Sequence, residues 1–267
     1  MLAAPTGGRN PGAGGGRVDM EWDAPAIVLD ARPFGEGDAI ATVMTEAQGA
    51  HRGLARGGTG RRGAGTWQPG NLVQVRWVGR TADQLGSFSA ELVHPAAALA
   101  MDDPLQLAML SAACAVAEGA LPERESHPRV FAGLLALIAR LSTGAPLLAG
   151  LIRWEAELLA ELGYGLDLSS CPVTGASTGL AWVSPRTGRA ISDEAAGPWR
   201  SRLLPLPSLL TRESNSDGDA AQWRDGLRLT GHFLARDVFG LRHRPLPQAR
   251  QALYERVTQM GETDSDA

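Results

Sequence analysis

Val73, Val75 and Trp77 alternate with other residues along the segment Leu72 to Val78. Apolar side chains at every second position mark a strand with one buried face, because successive side chains of an extended chain point to opposite sides. Four further segments have strand character: Ala26 to Ala31, Ala39 to Thr45, Ala50 to Ala55 and Phe88 to Val93. Between them lie turn formers: Gly35-Glu36-Gly37-Asp38, Glu46 to Gly49, the glycine-rich stretch Gly57 to Gly65, and Gln68-Pro69-Gly70-Asn71. Five short strands between Trp22 and His94 predict a small barrel, and a five-stranded OB-fold is the commonest such solution.

From Pro95 the period becomes helical. Leu105 to Ala117 carries Leu, Met and Ala at i, i+3 and i+4, with Asp103 placed as N-cap and Pro104 at the first helical position. Pro122 to Pro128 interrupts the pattern. Further helices are expected over Arg129 to Leu141, Pro146 to Leu162 (ended by Gly163), Asp219 to Phe239 and Pro247 to Met260. Most apolar residues of these helices, such as Leu134, Ile138, Leu227 and Phe233, read as core; a groove between helices beside an Arg is the alternative, a seat for an acidic, hydrophobic tail. One insert, Asp167 to Ser192, breaks the run: a Cys171-Pro172 turn, then strands Leu180 to Ser184 and Gly188 to Ser192 as a hairpin. Its outline is that of a zinc knuckle without the metal ligands. The fold class is therefore α+β. A five-stranded OB-fold barrel over residues 20–95 precedes a helical bundle over 96–260, with a knuckle-like hairpin insert at 167–192. Residues 1–19 read as a disordered leader or a misassigned start, with Met20 as the other candidate start, and 261–267 as a disordered tail.

Composition narrows the chemistry. All 25 basic residues are Arg, which excludes a P-loop lysine, a Schiff base, a Ser–Lys dyad and a kinase lysine. The net charge of −4 carries no whole-chain basic signature, so nucleic-acid contact has to be argued locally. Between Ala47 and Ala82 there are six Arg and no Asp or Glu: Arg52, Arg56, Arg61, Arg62, Arg76 and Arg80. Arg pairs with phosphate bidentately and stacks on bases. Trp67 and Trp77 share the window and are the candidate stacking residues. The other reading is a solvated loop in an Arg-rich chain. Cys114 and Cys171 are too few for a zinc site, and Cys114 reads as a buried apolar residue. The five His make no H-x-x-H pattern and read as structural or surface residues; Glu155, Glu157 and Glu161 read as a solvated helix face. No apolar run is long enough to span a bilayer. No catalytic constellation, metal or cofactor is expected.

Particular stretches sharpen this outline: MEWDAPAIVL at Met20, HRGLARGG at His51, WQPGNLV at Trp67, MDDPL at Met101, LPERESHP at Leu121, WEAELLAELGYGLDLSSC at Trp154, VSPRTGRA at Val183 and LRLTGHFL at Leu227. In order and spacing they resemble the RecO family of bacterial recombination mediators, in its alphaproteobacterial form, over nearly the whole chain from Met20 to about Met260. The resemblance implies a non-enzymatic protein of the RecF pathway, cytoplasmic and acting at the nucleoid. It implies binding of single- and double-stranded DNA and annealing of complementary strands coated with single-strand-binding protein (SSB). It further implies RecA loading together with RecR, and docking of the acidic SSB tail on the helical domain; RecF stays open as a further partner. The family's DNA-binding region maps onto the Arg52 to Arg80 window. Some members carry a four-cysteine zinc site in the insert; here Cys171 stands with Thr174, Thr187 and Ser192, so no zinc is expected. The competing class is a protein-interaction adaptor without intrinsic DNA affinity.

Overall fold

The structure is a computed structural model that describes residues 20–61, 63–81, 84–141, 147–211 and 217–265. The expected leader at 1–19 and Arg62 lie outside the described residues.

Five strands close a barrel: β1 (Met20–Phe34), β2 (Asp38–Thr45), β3 (Gly49–Ala55), β4 (Leu72–Gly79) and β5 (Ser87–His94), in the order β1-β2-β3-β5-β4. This is the expected OB-fold. β1 is longer than the apolar run that marks it, because it serves two neighbours. Its first half pairs with β4 from Met20↔Gly79, and its second half with β2 as far as Phe34↔Asp38. A bulge between Val28 and Asp30 turns it from one to the other. The run Ala26-Ile27-Val28-Leu29 is apolar throughout because both of its faces are buried. Ala26 and Val28 point into the barrel with Val43, Val73, Val75 and Phe88, whereas Ile27 and Leu29 join the core of the helical part.

Eight helices accompany the strands among the described residues. α1 (Gly63–Thr66) is a single turn before β4, and α2 (Ala96–Ala100) follows β5. The bundle consists of α3 (Pro104–Ala120), α4 (Pro128–Ala139), α5 (Leu148–Glu161), α7 (Ala220–Phe233) and α8 (Gln248–Ser265), with the short α6 (Asp193–Ala196) in the insert. α3 is the spine, packed against β1 on one side and α8 on the other. Its start is as expected: Asp103 accepts from the backbone N–H groups of Leu105 and Gln106, and Pro104 occupies the first position. Five of its nine buried residues are Ala or Gly, which allows close approach of neighbouring backbones. The loop between α3 and α4 is laid on the barrel: Arg124 N–H donates to the Ala50 carbonyl at 2.7 Å, and Ser126 Oγ to Glu46 O at 2.7 Å. Gly49, at φ 63°, passes so close that a Cβ would lie 1.9 Å from Glu125 O.

Three expectations change. The helix expected over Asp219 to Phe239 is α-helical to Phe233 and π-helical over Leu234–Phe239. α8 runs to Ser265, into the expected disordered tail; no proline follows Pro247 to stop it, and Leu253 and Val257 anchor it in the core. Glu155 is not on a solvated face: it is 0% exposed and paired with Arg250 of α8, Arg250 Nε donating to Oε1 at 2.5 Å and Nη2 to Oε2 at 2.9 Å. Thr230 of α7 donates its hydroxyl to the same carboxylate at 2.5 Å, so one buried polar cluster joins α5, α7 and α8.

The insert is the expected hairpin, β6 (Leu180–Val183) with β7 (Ala190–Ser192), widened by a third strand, β8 (Leu204–Pro205), on β6. Two residues that include a proline carry no strand signal in the sequence. The hairpin turn is fastened to α7 and its π extension: His232 Nε2 lies 3.1 Å from Pro185 O, and Arg236 donates to the same carbonyl.

Candidate nucleic-acid interface

Strand register decides which of the window's residues meet. Ala55 pairs with Phe88 and Phe88 with Trp77; Leu54 pairs with Ser87 and Ser87 with Val78. β3 and β4 run in opposite directions, so the chain after Ala55 leaves the barrel beside the β1–β2 turn, where Ala39 pairs with Ala55, and the chain after Gly79 leaves at the opposite end, where Gly79 pairs with Met20 at the start of β1. Arg56 and Arg61, on the loop after β3, and Arg80, on the loop after β4, are exposed at these two ends. Among the described residues none of the three lies in an ion pair. The Arg56–Arg61 loop is held at its root: Gly57, at φ 65°, donates its N–H to Asp38 Oδ1 at 2.8 Å, and Thr59 N–H to Gly37 O at 3.1 Å.

The other two described Arg of the window are engaged. Arg52 Nη2 sits 3.2 Å from Glu118 Oε1 on α3, and Arg32 reaches the same oxygen at 3.7 Å. That cluster lies at the seam of barrel and bundle. Arg76, on the outer face of β4, pairs with Glu21 of β1 at 2.5 Å; this holds its guanidinium pKa above the ordinary arginine value, through the hydrogen bond first and the charge second. Next to it Gln74 donates to Asp23. The outer β1–β4 face is thus charge-balanced rather than basic.

The expectation that Trp67 and Trp77 stack on bases is corrected. Trp67 is 6% exposed and Trp77 1%; both belong to the barrel core. Trp67 stacks on Phe88 at 5.9 Å, and Trp77 Nε1 donates to Leu85 O at 3.1 Å. The signal was in the sequence: the alternation Val73, Val75, Trp77 that marks the strand puts the Trp77 ring on the same inner face.

His51 lies against this cluster, 5.0 Å from the Trp77 ring and 5.2 Å from Trp22. Neither ring nitrogen has a hydrogen-bond partner among the described residues. Burial and then the nearby Arg124 charge lower its pKa to about 4, with Glu123 opposing, so the ring is neutral near pH 7.

In the insert, burial alone raises the Cys171 thiol. Hydrogen bonds from the backbone and hydroxyl groups of Ser192 and Thr174 outweigh it and bring the pKa down to about 6. Thr174 Oγ1 and Ser192 Oγ are 3.3 Å apart. One thiol with two alcohols does not fit the tetrahedral set of thiolate and imidazole ligands that a structural zinc takes. No group of three His, Cys, Asp or Glu converges among the described residues. Cys114 is buried as expected, and burial followed by the Asp30 charge pushes its thiol up to about 12.

A closed five-stranded barrel in the order β1-β2-β3-β5-β4, carried on a helical domain, defines an OB-fold protein. Two family models match, Recombination protein O N terminal over residues 20–96 and Recombination protein O C terminal over residues 101–246. The chain belongs to the RecO family. It is 61% identical over 248 residues to the DNA repair protein RecO of Granulibacter bethesdensis, covering 92% of this chain and 99% of that one. It is 59% identical over 250 residues to the protein of the same name from Acidiphilium cryptum, covering 93% and 100%. Membership of this family supports a role in DNA repair and recombination. No described helix is long and apolar enough to cross a membrane.

Proposed function

We propose that this chain is a DNA repair and recombination mediator. In this reading it binds single- and double-stranded DNA and anneals complementary strands coated with SSB, and with RecR it promotes the loading of RecA. It works in the cytoplasm, at the nucleoid, docks the acidic SSB tail on its helical domain, and catalyses no reaction. The observation that carries the reading is the loop after β3 on which Arg56 and Arg61 stand exposed without ion-pair partners among the described residues, with Arg80 likewise exposed and unpaired among them on the loop after β4. Arg62 belongs to the same stretch of sequence. Guanidinium groups on short loops exchange readily between phosphates, and phosphate contacts position a strand without reading its bases. Annealing needs that combination, because the base edges stay free to pair.

The test is annealing of complementary, SSB-coated oligonucleotides, followed by fluorescence, with the wild-type protein and with Arg56, Arg61 and Arg80 changed to Ala. Rapid annealing by the wild type and its loss in the triple variant support the reading. Each phosphate contact on a single strand contributes about 0.7 to the slope of log affinity against log salt, so the variant loses about 2. Equal affinity and equal slope refute the placement.

The adaptor reading has one observation in its favour. Arg52 and Arg76 are neutralised by Glu118 and Glu21, and the two Trp are buried, which leaves a smaller cationic surface than the sequence suggests. Absence of partner-free DNA binding at any salt concentration selects it.

A further inference from the structure

Gly197–Arg202 is a 3-10 stretch in which all six residues are exposed. It links α6 to β8 and rises from a fixed base. Ala196 before it and Leu204 after it are buried, and Leu204 and Pro205 pair with Val183 and Trp182. Gly197 takes a φ of 40°, which favours glycine, and Pro198 locks the next φ. The backbone therefore presents Trp199 rigidly, and this residue is 59% exposed. A large flat indole held in water contributes little to folding.

The cations around it have separate tasks. Arg200 bonds Asp193 Oδ1 at 2.7 Å and lies 5.5 Å over the Trp182 ring, while Trp182 Nε1 donates to the same oxygen at 2.9 Å. Arg200 thus secures the base of the ridge. Arg202 lies 5.3 Å over the Trp199 ring. The register Val183↔Leu204 brings Arg202 toward the β6–β7 turn that carries the exposed Arg186. Among the described residues neither Arg186 nor Arg202 lies in an ion pair.

We propose that this ridge is a second contact for single-stranded nucleic acid, in which Trp199 stacks on a base and Arg202 and Arg186 take phosphates. It rests on the DNA-binding reading above and gives that reading a site the barrel does not contain. A base needs only an exposed ring face with cations beside it. An acidic, hydrophobic peptide needs a concavity for its apolar side chain, and six consecutive exposed residues form a ridge instead. The insert is fastened to α7 through Pro185, and the barrel is packed on α3 through β1, so the two contacts belong to different parts of the molecule. A protein that brings two strands together gains from holding DNA in more than one place.

The test uses the full chain and a fluorescein-labelled oligothymidylate, with anisotropy titrations at several salt concentrations. Trp199→Ala is expected to weaken binding about 5- to 150-fold, as loss of one stacked base does, with an unchanged salt slope because no charge is removed. Trp199→Phe retains much of the affinity. Arg202→Ala lowers the slope by about 0.7. Both Ala variants keep the wild-type urea midpoint, which separates lost contact from lost folding. Wild-type affinity in Trp199→Ala and Arg202→Ala, alongside weakened binding in the Arg56→Ala/Arg61→Ala protein, overturns this inference alone. No binding by the wild type overturns the DNA-binding reading with it. A labelled Asp- and Phe-containing peptide that binds through Trp199 while oligothymidylate does not overturns the inference in favour of a protein-docking ridge.

Discussion

Changing Arg250 to Met leaves the Glu155 carboxylate buried without its cation. The two side chains are 1% and 0% exposed, and their contact is bidentate. Arg250 also donates to Leu227 O at 2.7 Å and lies 3.3 Å from Thr230 Oγ1. After the change Glu155 Oε2 keeps the Thr230 hydroxyl, while Oε1 loses its Arg250 hydrogen bond. Removing one partner of a buried pair costs about 3–5 kcal/mol, a large part of the roughly 5–15 kcal/mol that stabilises a typical domain. The double variant Glu155→Leu/Arg250→Met removes both charges and fills the space with apolar atoms. Thr230 then still donates to Gly226 O at 3.1 Å, and Leu227 keeps a carbonyl inside α7. That protein is expected within about 1 kcal/mol of wild type, because the desolvation of both ions disappears with their attraction. Urea denaturation followed by Trp fluorescence measures wild type, Arg250→Met, Glu155→Leu and the double variant, with the m-value as a check on the unfolding reaction. A loss below about 1 kcal/mol in Arg250→Met refutes the assignment of an uncompensated buried charge. So does a double variant whose loss equals the sum of the two singles, since that leaves no coupling to explain.

Two further outcomes follow from the barrel. His51 has a folded pKa of about 4, below its unfolded value of 6.5, so the unfolded chain takes the proton first. Its contribution is intact above about pH 6.5 and is lost as pH falls toward 4, by about 3 kcal/mol in all. Urea midpoints measured across that range should fall more steeply for wild type than for His51→Gln, and equal slopes would contradict the placement. Trp77→Ala opens a cavity in the barrel core and is expected to cost about 3–5 kcal/mol. Its affinity for single-stranded DNA should stay unchanged under folding conditions, whereas a weakening of about 5-fold or more, as loss of a stacked base gives, would reopen a direct contact.

The strands and helices were legible to different depths. β4 and α3 could be placed from the sequence because their signals are local: alternation around Val75, and Asp103-Pro104 before a period of three to four. β1 was half visible, since Met20 to Pro25 has no apolar run and is a strand only because β4 lies beside it. The π extension at Leu234–Phe239 and the strand Leu204–Pro205 likewise have no local signature. Among the candidate site residues, the Arg window was visible as charge, but its division was not. Glu118 and Glu21, which neutralise Arg52 and Arg76, lie 66 and 55 residues away along the chain. Trp199 has no signature in the sequence, because one exposed aromatic carries no periodicity.

The sequence alone determined the class of fold, the order of barrel, bundle and insert, and the location of the cationic window. Each of these rests on spacing, capping or composition, which act over a few residues. Only the tertiary structure decided which charges remain free, that Glu155 is a buried partner of Arg250 rather than part of a solvated face, and that Trp67 and Trp77 fill the barrel while Trp199 faces water. Those outcomes depend on which side chains distant in sequence meet across strand register and helix packing, and on the cost of leaving a charge or a large apolar ring without a partner.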